Sequence, residues 1–594
     1  MKMENRIVRL AMLSAMLAGC GSASTVAPEE AVPVVEEASG PRHSERRGIG
    51  VSWQAPEGVS AQAVFPMDPR RSLAVTDKAI LANFPLRAVM DQLHAQNGGV
   101  GFTGEQLFRQ LWDTQNPAPG QPDLPFSPHC TDAGGTLNGF PYPCRALPGG
   151  EGIHAPLGAV TKIDNFSAVG LYNRFDLAPA EGTDCGEYRI VYAKTDGTPG
   201  RNFLIFEAVL PNPRPDLGLE GCRPVADFWS NLSADPNVLS RGTKLRDFYF
   251  LGLPGFFPVI HVMNYGDNPA GLGQVRTNQF IQPPWLLREF KLRRDCSSTG
   301  GCGLKFFPQT VKTNPFGDLF DPLSLHGLAP GFQAHFLTQV PALAVNDINR
   351  FNYEVPDTFN VGQSDSQTPF TVDNYVNEFG PGPSGFHANI ANELALIGSP
   401  LTPRDVVARA QALSCGGCHQ RSGLANLGGG LTFPAPAAGG FVHSSEANDP
   451  VDPSRFDISP ALRNVFLPHR RKVSESWLAT APRAAAFVAQ SVPASVPAGT
   501  SFSVSVTMRN TGTTAWSEGN AFRLGDPAGP TWGFDRVMLA ATELIHNGED
   551  KTFTFSATAP GAPGVYPFQW RMVEDGSGTW FGAATPVVNI TVTP

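Results

Sequence analysis

At 594 residues the chain is too long for one hydrophobic core, so about two to four domains are expected. Hydrophobic residues make up 41% and charged residues 16%, which excludes an intrinsically disordered protein. A formal net charge of −9 leaves no basic footprint, so nucleic acid is not an expected partner.

Lys2, Arg6 and Arg9 precede the apolar run Leu10 to Ala18, and Leu17-Ala18-Gly19-Cys20 closes it. A charged start, a short apolar core and small residues are the layout of a secretory signal. The run is too short to span a bilayer as a stable helix. The tetrapeptide resembles the lipobox of bacterial lipoproteins. The resemblance implies that residues 1–20 are a signal peptide and that Cys20 is acylated, anchoring the chain to membrane in the bacterial cell envelope. Gly21, rather than Asp, after that cysteine implies the outer membrane. An ordinary cleaved signal would change only the anchoring.

Residues 21–60 are rich in Ala, Val, Pro, Glu and Ser without helical or strand period, which predicts a disordered tether. Setting aside Cys20, Cys415 and Cys418, six cysteines remain, and an even number in an exported chain points to disulfides. Neighbours close the smallest loops, so the expected pairs are Cys130 with Cys144, Cys185 with Cys222, and Cys296 with Cys302.

Residues 65–384 read as an α+β domain of unassigned function. Leu86, Val89, Met90 and Leu93 predict one amphipathic helix, and Leu107, Leu111 and Trp112 a second. Residues 114–160 read as a stapled loop. Tyr188 to Tyr192 and Phe203 to Phe206 predict a hairpin across residues 195–200. A helix is expected at Val225 to Leu232. Strands following strands without long intervening helices argue for antiparallel sheet. No Gly-x-Ser-x-Gly elbow, His-Glu-x-x-His pair or Walker loop occurs.

The pattern changes in residues 385–477. Ile390 to Ile397 predicts a helix ended by Gly398, and Thr402-Pro403-Arg404-Asp405 starts the next, with Thr402 as N-cap and Pro403 at the first position. That helix runs into Cys415-Gly416-Gly417-Cys418-His419. Cys-x-x-Cys-His is the pattern for covalent attachment of a c-type haem: two thiols add to the vinyl groups and the imidazole takes the iron. Cys415 and Cys418 are the expected tethers, His419 the proximal ligand, and haem c the expected cofactor. The two glycines are expected to let the backbone curl beneath the ring. A thioredoxin-like dithiol and half of a zinc site use the same residue types, but no βαβ unit and no second ligand pair accompany this one. The segment resembles the haem-binding segment of bacterial cytochrome c domains, a mainly α-helical class. The downstream methionine common there is absent, since Met508 is the first after His419. The sixth ligand is therefore His443, His469, an upstream Met263 or His261, or water, with His443 favoured because glycine-rich loops at 427–430 and 434–440 precede it. Arg463, Arg470, Arg471 and Lys472 are candidates to meet the haem carboxylates.

Residues 478–495 read as a linker running into an all-β domain at 485–594, where strands alternate between Asn-Gly, Asp-Pro and Asp-Gly turns. Arg509-Asn510-Thr511-Gly512 to Trp516, Gln569 to Met572 and Trp580-Phe581-Gly582 resemble the four-tryptophan immunoglobulin-like domain known from a selective-autophagy receptor and many bacterial exported proteins. The tryptophan expected just before Arg509-Asn510 is missing and Trp532 is additional, which bears on any peptide-binding surface and not on the fold. Large inward residues suit a sandwich core.

Together these features predict an exported haem lipoprotein that transfers electrons to a redox partner protein or serves as a haem-dependent oxidoreductase. The alternative is a non-enzymatic surface binding or scaffold lipoprotein with a vestigial haem segment.

Overall fold

The computed structural model describes residues 66–124, 127–145, 150–281, 283–296, 302–366, 373–434 and 443–594. The signal, Cys20 and the 21–60 tether lie outside them.

An antiparallel sheet of eight strands organises the first two-thirds of the described chain: β1 (Ala74–Val75), β2 (Phe166–Arg174), β3 (Asp184–Lys194), β4 (Arg201–Pro211), β5 (Gln274–Phe280), β6 (Leu286–Asp295), β7 (Gly303–Gln309) and β8 (Gln363–Asp365). They follow each other across the sheet in chain order to β6, whose outer edge pairs with β8 at Leu286–Arg288 and with β7 from Glu289 onward. The predicted hairpin is β3–β4, with Val191 opposite Ile205 and Arg189 opposite Glu207.

Both faces of this sheet are buried, and they differ in chemistry. Side chains alternate along a strand. One face carries Tyr188, Ile190, Tyr192, Leu204, Phe206, Val275, Phe290 and Leu292, all in the main apolar core. Four helices close it: α1 (Leu86–Gln96), α2 (Gly104–Asp113), α3 (Arg223–Asn231) and α4 (Val238–Phe250). The stripe Leu86, Val89, Met90 and Leu93 of α1 is fully buried there, each worth about 1.5–3 kcal/mol relative to exposure. Helix α2 starts on a capping box between Thr103 and Gln106, which satisfies orphan N–H groups at its first turn.

A second core gathers α5 (Ala329–Leu343), α6 (Gly385–Leu396) and α7 (Pro403–Leu413) around Phe320, Phe332, Phe336, Tyr375 and Phe379. Thr402 and Asp405 form a capping box on α7, with Pro403 in its first turn. Further on, the hairpin β9 (Ser444–Asn448) and β10 (Phe456–Ile458) leads to α8 (Leu467–Ala479), whose Leu467, Val473 and Trp477 return to the main core. Residues 385–413 thus share a core with residues 319–379, and residues 458–478 share one with the sheet helices. The segment 385–477 contributes to both, and its Ala412, Leu427 and Phe433 form a smaller cluster with Phe351. The three expected disulfides all form: Cys130–Cys144, Cys185–Cys222 and Cys296–Cys302.

The C-terminal region is a sandwich. Its sheets are β11 (Ala485–Ser491), β13 (Ser501–Asn510) and β16 (Asp550–Thr558); β12 (Ser495–Pro497), β20 (Val588–Thr593) and β17 (Gly564–Phe568); and β14 (Phe522–Gly525), flanked by β15 (Arg536–Met538) and by β18 (Arg571–Glu574) with β19 (Thr579–Phe581) beyond it. Trp516, Trp532, Trp570 and Met508 are fully buried in its core, as packing residues. Trp580 lies at the rim beneath the Arg536 guanidinium, 4.9 Å from the ring centroid. Asn510 builds the turn before Trp516: its Nδ2 donates to the carbonyls of Thr514 and Ile545, and its Oδ1 accepts from Gly512 N.

The predicted linker is shorter than expected, because β11 already begins at Ala485 and pairs with β13. Only residues 480–484 connect, and the sandwich is docked on the body. Ala515 N donates to the Leu217 carbonyl at 3.0 Å, Thr513 Oγ1 donates to Glu220, and Asn520 Nδ2 donates to the Asp216 carbonyl at 3.1 Å. Gly218, at φ +61°, lets that segment approach, since a Cβ there would meet Ala515 at 3.0 Å.

Candidate functional site

The second face of the large sheet is charged. Glu187, Arg189 and Val191 on β3, Phe203, Ile205 and Glu207 on β4, Gln274, Arg276 and Asn278 on β5, and Leu287 and Glu289 on β6 share it. The register sets Arg189 opposite Tyr172 and Glu207, Arg276 opposite Ile205 and Glu289, and Asn278 opposite Phe203 and Leu287. Glu207 is only 1% exposed, so this is no solvent face. It is held by pairing across strands: Arg189 reaches Glu187 at 2.6 Å and Glu207 at 3.1 Å, and Arg276 reaches Glu207 at 3.2 Å and Glu289 at 3.0 Å. Buried ions persist only when paired this way.

Above this face lies a cavity of about 220 Å³ whose other wall is the segment ending α7. Cys415, Cys418, His419 and His443 all line it, so all four predicted site residues in the described region come together. A second cavity of about 250 Å³ shares Arg174, Leu413, Cys418, His443 and Arg470 with the first and adds His469, Phe466 and Phe351. His261 and Met263, raised as sixth-ligand alternatives, belong to neither; His261 stacks on Phe257 and its Nδ1 accepts from Met263 N. Met508 is spent in the sandwich core.

Two single π-helical turns border the cavities, Gly417–Arg421 carrying Cys418 and His419, and Leu462–Phe466 feeding α8 with Phe466, His469 and Arg470. Such turns widen a helix locally and re-aim side chains.

The loop at 414–419 is gripped from below. Ser364 Oγ accepts from Gly416 N at 2.8 Å, and Asn314 Oδ1 accepts from Cys415 N at 3.3 Å. Both holders are fixed in turn by the buried carboxyl of Asp373, which accepts from Ser364 Oγ and Asn314 Nδ2 at 2.5 Å each. Burial pushes that carboxyl up to about 7. The glycines serve this grip rather than conformational freedom: Gly416 has an ordinary φ of −68°. A Cβ on Gly416 would stand 2.5 Å from the Asp365 carbonyl and 2.6 Å from Asp373 Oδ2, and one on Gly417 would stand 1.7 Å from the Gln411 carbonyl. Close approach, not a left-handed backbone, requires them. The glycine loop at 427–430 also differs from expectation. Arg409 donates to the Leu427 and Gly428 carbonyls and ties it to the α5–α7 end. Residues 435–440 lie outside the described residues.

The imidazole of His419 is held on two sides. Its Nδ1 lies 3.0 Å from Ser366 Oγ, and its face stacks on Trp285 with centroids 3.9 Å apart and planes 15° apart. Trp285 is itself fixed, its Nε1 donating to Asn278 Oδ1 at 2.5 Å. Burial drives the His419 pKa down to about 3, so the ring is neutral and able to ligate. Cys415 and Cys418 are both free thiols, and burial pushes each up to about 12. Thiols shifted upward do not fit a redox dithiol, which needs a lowered pKa. Nor do they fit zinc: among the described residues, the three-donor set converging within 4.8 Å is Asp318, Asp321 and Glu378, away from this cavity.

Arg470 completes the wall, 7% exposed. Burial lowers its pKa to about 9, with Arg174 nearby acting in the same sense. Arg463 pairs with Asp449 and Asp457, and Arg471 with Glu475. Arg174, Arg189, Glu207 and Arg276 escaped sequence reasoning. The available signal was the recurrence of charged residues, Glu187, Arg189, Glu207, Arg276 and Glu289, on alternate positions of strands that are otherwise largely apolar.

No curated protein matches the chain. A family described as the Ig-like domain from next to BRCA1 gene matches residues 493–592, and the C-terminal region is Ig-like.

Proposed function

We propose that the protein is an exported c-type haem protein of the bacterial cell envelope, anchored through Cys20, that exchanges electrons with a redox partner protein or uses the haem as an oxidoreductase. The observation that carries the reading is the convergence of two free, half-buried thiols and a clamped neutral imidazole on one cavity wall, with a second histidine, His443, on the same cavity. When bound, the haem supplies one-electron chemistry. Cys415 and Cys418 hold it as thioethers. His419 would ligate the iron through Nε2, with its Nδ1–H donating to Ser366 Oγ and Trp285 stacked on the ring to keep it from turning. His443, on the same cavity, would supply a further ligand. The paired charges of the sheet face make the floor polar.

The test is a reduced-minus-oxidised spectrum of protein made with haem maturation machinery. Haem that survives acid extraction, is lost in Cys415→Ala/Cys418→Ala, and turns from low to high spin in His443→Ala is the expected result. A chain that never retains haem after extraction ends the reading. Cys20→Ser is expected to release the protein from the membrane fraction, and unchanged retention would refute the anchor.

A further inference from the structure

Arg470 lines both cavities and is 7% exposed, yet its guanidinium makes no hydrogen bond among the described residues. Its ion pair there is with Asp176, at 3.9 Å. That carboxylate is already taken: Arg174 Nε and Nη2 hold it at 2.9 to 3.2 Å. Two guanidiniums therefore share one carboxylate, and Arg470, the more distant of the two, keeps its donors unused. Phe466 lies beside the Arg470 guanidinium, 6.0 Å from ring centroid to Cζ. A guanidinium has five donors in a planar fork and is stable out of water only when an anion meets it.

We propose that Arg470, with Arg174 beside it, forms a seat for one carboxylate where the two cavities join. The planar fork matches a carboxylate's two oxygens. A single carboxylate would meet the donors that Arg470 leaves unused, and Asp176 beside it disfavours a second negative charge. The carboxylate has two possible sources: a propionate of the haem, in which case the inference rests on the function proposed above, or a free small organic acid admitted through the second cavity.

The experiment titrates acetate calorimetrically into the full-length chain, haem-free and haem-loaded, as wild type, Arg470→Gln and Arg470→Lys. Acetate is expected to bind the haem-free chain and to bind Arg470→Gln at least about tenfold more weakly. Arg470→Lys, which keeps the charge and loses the fork, is expected to fall between them, and it serves if the glutamine variant does not fold. Binding that disappears on haem loading assigns the seat to the haem, whereas binding that persists assigns it to a free acid. A reduction midpoint that moves in loaded Arg470→Gln also supports the seat, with haem as the source, even where acetate fails to bind. Acetate binding indifferent to residue 470, or no binding together with an unmoved midpoint, overturns the proposal. If no haem attaches at all, the haem reading fails and the acetate titration of the haem-free chain alone decides the seat.

Discussion

The sandwich and the large sheet are both antiparallel β structure, but they bury different things. The sandwich buries one face of each sheet, made of Trp516, Trp532, Trp570, Phe553 and Ile590, and leaves the other to solvent. The large sheet buries both, with Tyr188, Ile190 and Phe206 on one side and Arg189, Glu207 and Arg276 on the other. Apolar burial is stabilised by area and tolerates rearrangement. Charged burial is stabilised only by partners, so it has to be satisfied residue by residue, and it marks the face with a site.

The sharpest way to break this comparison is to place a side chain in each region where glycine stands. Gly417→Val puts atoms where the Gln411 carbonyl already is, and it is expected to abolish haem attachment and lower the unfolding temperature of the body. Gly548→Ala, in an open turn of the sandwich at φ +83°, is expected to cost only about 1 kcal/mol. Haem absorbance and calorimetric scans read both, and an unaffected Gly417→Val chain would show that the loop is not gripped.

Next is the charge row. Glu207→Leu takes from Arg189 and from Arg276 one of two carboxylate partners each and should cost about 3 kcal/mol in denaturant unfolding. Trp570→Ala in the sandwich should cost a similar ~3–5 kcal/mol by leaving a cavity. The two differ in rescue: replacing the whole row together, with Glu187→Gln, Arg189→Met, Arg276→Met and Glu289→Gln added to Glu207→Leu, should restore most of the loss, because none of these ion pairs is then broken on one side only. Failure to rescue would mean that the row binds something the substitutions remove.

Acid gives a smaller separation. His154 is buried against Trp112, and burial holds its pKa down to about 4. The unfolded chain takes up that proton near pH 6.5, so the stabilisation is full above 6.5 and is lost as pH falls toward 4, by about 2–3 kcal/mol. The body is expected to unfold before the sandwich as pH drops through this window, and His154→Phe should delay it. Coincident transitions at every pH would argue that the docked sandwich and the body unfold as one unit.

The smallest effect belongs to the exposed Arg509–Asp550 pair of the sandwich, 2.6 Å apart. Arg509→Ala should leave the melting curve unchanged. A measurable loss there would show that surface charge matters to the sandwich as buried charge does to the sheet.

The sequence by itself determined the elements that depend on neighbours along the chain. The capping box at Thr402, the stripe of α1, the β3–β4 hairpin, the disulfides closed between nearby cysteines and the Ig-like C-terminus all follow from spacing and local chemistry. So did the association of Cys415, Cys418 and His419, which are consecutive in one motif. The tertiary structure decided the rest. Arg174, Arg276, Arg470, Trp285 and Ser366 come from segments far apart in the chain, and each reads alone as an ordinary strand, helix or loop residue. A charged residue at alternate positions looks like a solvent-facing edge until another segment covers it, and here the covering is supplied by residues 413–419, His443, Ser444 and Arg470. The same holds for Gly416 and Gly417: their composition suggested freedom, and only the positions of Asp373 and the Gln411 carbonyl show that the loop has no room for a Cβ. Local sequence sets what a segment is able to form, and the cost of desolvating charge, known only once segments meet, sets where the site is.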